Sequence, residues 1–251
     1  MPSLPTGPAL PAAVLWDMDG TLVDTEPYWI RAEHEIVALF GGRWSDELAH
    51  QLVGNDLMVS AHFIREHSPV EWEPVRLVHE LQGRVIEQVR EAVPWRPGAQ
   101  RLLADLRDAG VPCALVTMSW RALADAIVAE LPEGSFAAVV TGDEVERGKP
   151  HPDPYALAAR LLEAEPGECV AIEDSETGVT SAVAAGVPTL VCPCVKPVPR
   201  IPGSVQVPSI QGLGPGDLLA LVPRAERPGE TQAVRTSTSD SRPARSAGLR
   251  V

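Results

Sequence analysis

The chain has 251 residues, room for one or two domains, of which 45% are hydrophobic, and a formal net charge of −13. That charge weighs against a general nucleic-acid or acidic-membrane surface, while a local metal can still present a positive field to a small anionic substrate. No uninterrupted apolar run approaches the ~20 residues of a membrane span, and the proline-rich start over residues 1–11, with no basic residue, reads as a flexible leader and not a secretion signal; a cytoplasmic protein is expected.

A short apolar run, Ala13 to Trp16, stops at Asp17 and predicts a buried parallel strand. Asp19, Gly20 and Thr21 follow at once. From Asp24 to about Val93 the pattern is helical. Helices are expected over Glu26 to Phe40, with Ile30, Val37, Leu39 and Phe40 as apolar candidates, and over Ser45 to Val53 behind a Ser45 N-cap. Two more are expected over Asp56 to His67 and from Pro74 to Val93. Pro94 to Gly98 reads as a linker. About seventy inserted residues are too many for a loop, so residues 25–96 are expected to form a helical cap domain, with 12–24 and 97–223 as the core.

The sheet pattern then resumes. Helices are predicted over Gln100 to Asp108, Ala122 to Leu131, Pro154 to Leu162 and Thr177 to Ala185. Strands are predicted over Val111 to Val116, Phe136 to Val140, Cys169 to Ile172 and, as the last, Thr189 to Cys192. This alternation implies an α/β fold: a Rossmann-like parallel sheet core with an inserted α-helical cap. Leu218 to Val222 reads as a final helical turn, and residues 224–251, rich in Pro, Ser, Thr, Gly and Arg, as a disordered tail. Of four cysteines, Cys192 and Cys194 make half a metal motif that no second pair completes.

The polar residues that end strands carry the chemistry: Asp17 and Asp19, Thr117, and Glu173 with Asp174. In a parallel sheet such ends share one edge. Lys149, one of only two lysines, precedes a helix nearby. Clustered carboxylates repel unless a proton or cation intervenes, and an all-oxygen set suits Mg²⁺ with a substrate phosphate. A hydroxyl and an ammonium supply donors to the remaining phosphate oxygens. The inventory points to phosphoryl transfer.

Four segments in order, Asp17-Met-Asp19-Gly-Thr21, Val116-Thr117, Gly148-Lys149-Pro150 and Ile172-Glu173-Asp174-Ser175 with Gly178, resemble the motifs of the haloacid dehalogenase-like superfamily. The nearest branch is the β-phosphoglucomutase-like one, in which a helical cap follows the first motif. The resemblance implies an enzyme, a phosphoric monoester hydrolase acting on a small phosphorylated metabolite; a monomer with no nucleic-acid or membrane partner is expected. It implies Asp17 as nucleophile, forming an aspartyl-phosphate, and Asp19 as acid and then base. Thr117 and Lys149 would hold phosphoryl oxygens. Asp17, the backbone carbonyl of Asp19, and Asp174 would hold Mg²⁺, with Glu173 as a further ligand or its support. Ser119 reads either as a phosphate contact or as a helix N-cap, His151 as a solvated loop residue, and Trp16 and Trp120 as packing residues flanking the site.

Two other readings stand beside the phosphatase. A phosphosugar mutase must grip a second phosphate, yet Arg31, Arg43, Arg65 and Arg76 of the inserted helices are outnumbered by acids, and no basic residue follows Gly54 where the mutases carry one. A receiver-like phospho-accepting module shares the acids, hydroxyl and lysine but has neither the insertion nor an Asp19.

Overall fold

The computed structural model describes residues 9–222, so the tail expected over 224–251 and all but the end of the leader lie outside it. Six strands run in parallel: β1 (Ala13–Trp16), β2 (Cys113–Val116), β3 (Ala138–Val140), β4 (Cys169–Glu173), β5 (Thr189–Val191) and β6 (Ser204–Gln206). Their order is β3-β2-β1-β4-β5-β6, which puts β1 inside the sheet with Leu15 opposite Ala114 of β2 and Ala171 of β4. β1, β2 and β4 are buried along their whole length because both faces of the sheet are covered there. Val14, Trp16, Val170 and Ile172 face one layer; Ala13, Leu15, Cys169 and Ala171 face the other.

Five helices lie between β1 and β2: α1 (Glu26–Leu39), α2 (Asp46–Leu52), α3 (Leu57–His67), α4 (Pro74–Glu91) and α5 (Ala99–Asp108). Then come α6 (Arg121–Val128), α7 (Asp153–Leu161), α8 (Glu176–Ala184) and α9 (Pro215–Leu221). Leucines of α5 join α6 and Leu218 of α9 on the Trp16 face of the sheet, and α7 with Ala182 of α8 covers the Leu15 face.

The buried residues of the inserted helices are continuous with the Trp16 side of the sheet core. On α4, Leu77, Leu81, Val85 and Val89 recur every fourth residue, are buried, and pack against α1 and α3. At ~1.5–3 kcal/mol for each such side chain, this stripe outweighs the weak propensity of the short α2 and α3. Ser45 and Asp56 start those two helices by accepting backbone N–H bonds from Leu48 and from Met58 and Val59. The chain enters and leaves the insertion side by side: Asp24 N donates to Pro94 O at 2.8 Å and Arg96 N to Leu22 O at 3.0 Å. From α4, His79 packs edge-on against Trp120 before α6, with centroids 5.1 Å apart. Trp120 therefore sits where the insertion meets the sheet layer, while Trp16 is wholly interior.

Two expectations need correction here. The sheet does not end at β5: Leu190 pairs with Val205 of β6. Ser-Val-Gln is a half-exposed edge strand with no apolar run, held by the ladder to β5 and not by its own burial. On α1 the buried residues are Ala32, Glu33, Ile36 and Val37, and Leu39 is 64% exposed. The inward face is set by the position of α4, and it selects a glutamate over a leucine.

Candidate active site

Asp17 follows β1 directly, its N–H bonded to Ile172 O of β4 at 3.0 Å. The chain then turns tightly, with Leu22 and Val23 N–H groups both returning to Met18 O. Gly20 makes the turn at φ 91°, and a Cβ there would stand 2.5 Å from Asp174 Cγ, so the position requires glycine on both counts. β4 delivers Glu173 and Asp174 to the same edge, β2 delivers Thr117, and the loop before α7 delivers Lys149.

Lys149 is almost fully buried and all three of its ammonium protons are used. It donates to Asp17 Oδ1 at 2.7 Å, Glu173 Oε1 at 2.7 Å and Val116 O at 2.9 Å. Burial alone would lower its pKa, but the Asp17 and Glu173 charges outweigh burial and hold the ammonium above its ordinary value. Asp17 is pushed up, first by burial and then by Glu173, with Lys149 opposing. Asp174 is pushed up by burial, then by Asp17 and Glu173. Asp17, Glu173 and Asp174 each offer an oxygen within 4.8 Å of the others, and Asp17 Oδ2 is buried without a hydrogen-bond partner among the described residues. Three carboxylates against one ammonium leave two formal negative charges to neutralise. The cluster thus fits a divalent cation, on charge, donor chemistry and the orphaned oxygen alike.

Asp19 lies beside this group, not in it. Its carboxylate accepts from Thr25 Oγ1 at 2.5 Å, Ser119 Oγ at 2.8 Å and Thr117 Oγ1 at 3.2 Å. Of the two readings of Ser119, the N-cap is excluded: Trp120 occupies that position and Ser119 bonds to Asp19. Ser175 does cap α8, accepting the Gly178 N–H at 3.1 Å. A side chain on Gly178 would collide with the Glu173 carboxyl group. His151 stays at the rim beside Asp153, Nδ1 to Oδ1 3.0 Å.

Sequence reasoning missed Thr25, Tyr155 and Glu33. Tyr155 is fully buried on α7 and donates to Glu173 Oε1 at 2.6 Å. A tyrosine in the helix shortly after Lys149 was the available signal, since a buried phenol needs an acceptor. Between this edge and the inserted helices lies a cleft of about 330 Å³, lined by the predicted site residues except Glu173 and by Trp29, Glu33, Leu57 and Ser60 among others.

The haloacid dehalogenase-like hydrolase family model matches residues 11–186. The chain belongs to that family. Among curated relatives, protein CbbY of Cupriavidus necator is 35% identical over 199 residues, covering 72% of this chain and 78% of the relative. Hexitol phosphatase A of Escherichia coli is 35% identical over 202 residues, covering 74% and 85%. Among solved structures, a CbbY mutant from Rhodobacter sphaeroides in complex with xylulose-(1,5)bisphosphate superposes with a TM-score of 0.74 at 27% identity, covering 82% of this chain and 97% of that one. No helix among the described residues is long and apolar enough to cross a membrane.

Proposed function

We propose that this hydrolase is a Mg²⁺-dependent phosphatase that cleaves a small phosphorylated sugar or polyol through an aspartyl-phosphate on Asp17. One observation carries the reading: at the end of an interior strand, Asp17 presents one oxygen to Lys149 and a second, buried and unpartnered among the described residues, beside Asp174. Relatives that are phosphatases of phosphorylated carbohydrates support the substrate class.

In the first step Asp17 Oδ attacks phosphorus and the ester P–O bond breaks, with Asp19 giving its proton to the departing alkoxide oxygen. In the second, Asp19 takes a proton from water as its oxygen attacks the same phosphorus, which releases Asp17 as carboxylate and inorganic phosphate. Lys149 and Thr117 hold phosphoryl oxygens as charge shifts. Asp17, Asp174 and the Asp19 carbonyl would hold Mg²⁺, which when bound neutralises charge on the phosphoryl group. Glu173 has both oxygens engaged by Lys149, Tyr155, Ser175 and the backbone, so we assign it to hold Lys149. Helices α1 to α4 act as the cap that encloses the substrate, with residues 24–27 and 94–98 as its hinge. We place the enzyme and its metabolite substrate in the cytoplasm, with the bound cation offsetting locally a net charge of −13 that would otherwise repel the phosphate.

Released phosphate from a panel of sugar, polyol and p-nitrophenyl phosphates, with Mg²⁺ and with chelator, tests the reading. Turnover that needs Mg²⁺ is expected; no turnover of any ester with Mg²⁺ present overturns it.

A further inference from the structure

Resting on the phosphatase reading, the geometry points to Glu33 as a specificity-determining residue: from the α1 wall of the cleft it binds hydroxyl groups of a neutral, singly phosphorylated polyol. Glu26, Trp29 and Glu33 recur on one face of α1 at helical spacing, and all three line the cleft. Glu33 is 5% exposed, and Trp44 Nε1 donates to its Oε2 at 2.9 Å, which fixes the side chain where it stands. A glutamate in this packed position needs a reason, since burying an unpaired carboxylate is costly. Burial foremost, with Glu26 adding and Trp44 opposing, pushes its pKa up to about 8, so near neutrality it carries a proton it can donate while its other oxygen accepts. Ser60 of α3, also buried, adds a hydroxyl to the same wall.

The charges of the cleft fix the rest of the ligand class. Among the described residues lining it, Lys149 and Lys196 are the only cations. Lys149 serves the transferred phosphoryl group beside Asp17, and the charge of Lys196, whose Nζ donates to Val53 O at 3.3 Å, is offset by the nearby Glu26 carboxylate. A second phosphate would meet Glu26 and Glu33 with no guanidinium to receive it. A hydroxylated chain instead finds a carboxylic acid, a hydroxyl and the apolar faces of Trp29 and Leu57, the mixture typical of a neutral-ligand pocket.

The test measures kcat/KM of the wild type on a hexitol monophosphate, a ketose bisphosphate, phosphoethanolamine and p-nitrophenyl phosphate, then repeats it with Glu33→Leu and Glu33→Gln. The expected result is a wild-type preference for the hexitol monophosphate over the bisphosphate and the amine. In Glu33→Leu the ratio of hexitol to p-nitrophenyl activity falls about 10- to 100-fold, chiefly through KM, the loss of one or two buried polar contacts. Glu33→Gln, which keeps an acceptor for Trp44 and a donor for substrate, restores most of that ratio. A structural role for Glu33 alters both substrates together, so an unchanged ratio in Glu33→Leu overturns the inference. So does a wild-type preference for the bisphosphate or for phosphoethanolamine. Should wild-type protein hydrolyse no ester, p-nitrophenyl phosphate included, the phosphatase reading itself fails and this one falls with it.

Discussion

Replacing Glu33 by glutamine should make the protein more stable than wild type at alkaline pH, and not at acid pH. In the unfolded chain Glu33 titrates near 4.5; in the fold, burial raises it to about 8. Below the unfolded value both states hold the proton and the carboxyl group costs nothing. Between the two values the folded state binds a proton that the unfolded state has lost, so stability falls as pH rises, and the loss is complete above the folded pKa. At ~1.4 kcal/mol per pH unit across that window the loss is on the order of 3–5 kcal/mol. Because the side chain is 5% exposed, no solvent-screening discount applies. The amide introduced by Glu33→Gln cannot ionise and still accepts from Trp44, so the variant escapes the loss. Glu26, pushed up to about 7 chiefly by burial, contributes a slope of the same sign, but it is present in both proteins and cancels in the difference. For a chain of this size the difference in Tm should grow by on the order of 10 °C between pH 5 and pH 9. Paired thermal melts across that range measure it. A difference that stays flat with pH would refute the claim that Glu33 is buried in a neutral state.

Other outcomes follow from the strand-end cluster. Asp17→Asn should abolish turnover in the phosphate-release assay, because an amide is a poor nucleophile. Asp19→Asn should slow turnover by about 10²- to 10⁴-fold, with a phosphoenzyme that accumulates in rapid-quench experiments if water attack becomes limiting. Tyr155→Phe removes a hydrogen bond to a buried carboxylate and should cost ~1.5–3 kcal/mol in urea unfolding, with a fall in kcat from a less well-held Lys149. Gly20→Ala forces an L side chain to φ 91° against Asp174 and should cost ~1–3 kcal/mol by the same unfolding assay, together with most of the activity.

The residues that end strands were legible because their positions follow from local pattern. An apolar run of four residues cut off by Asp17, or by Thr117, states both the strand and the edge it reaches. Lys149 was legible by rarity and by its place before a helix. What local pattern does not hold is the choice of partner. Ser119 precedes a helix and has an N-cap's sequence context, yet a carboxylate one hundred residues earlier takes its hydroxyl. Tyr155 reads as core until β4 brings Glu173 against it. The strand β6 was illegible for a different reason: three partly exposed residues carry no burial signal, and their pairing depends wholly on β5 being there first. On α1, weighting bulky residues favoured Leu39 and passed over Glu33, because hydrophobicity alone cannot tell which side of a helix a neighbouring α4 will cover.

Buried carboxyl groups thus stand in two different settings around the cleft, and what surrounds each of them separates the two. At the sheet edge, Asp17 and Asp174 are raised by burial and by the carboxylates around them, Glu173 included, and Lys149 touches Asp17 and Glu173. A divalent cation held there would neutralise the charge left over and so favour the ionised forms of these acids. Among the described residues no such ammonium touches Glu33, whose hydrogen-bond partner is the neutral indole of Trp44. There the cheaper response to burial is to keep the proton. On the proposed reading, the ionic cluster around Lys149 would receive the phosphoryl group and the neutral, hydrogen-bonding Glu33 the hydroxylated chain attached to it.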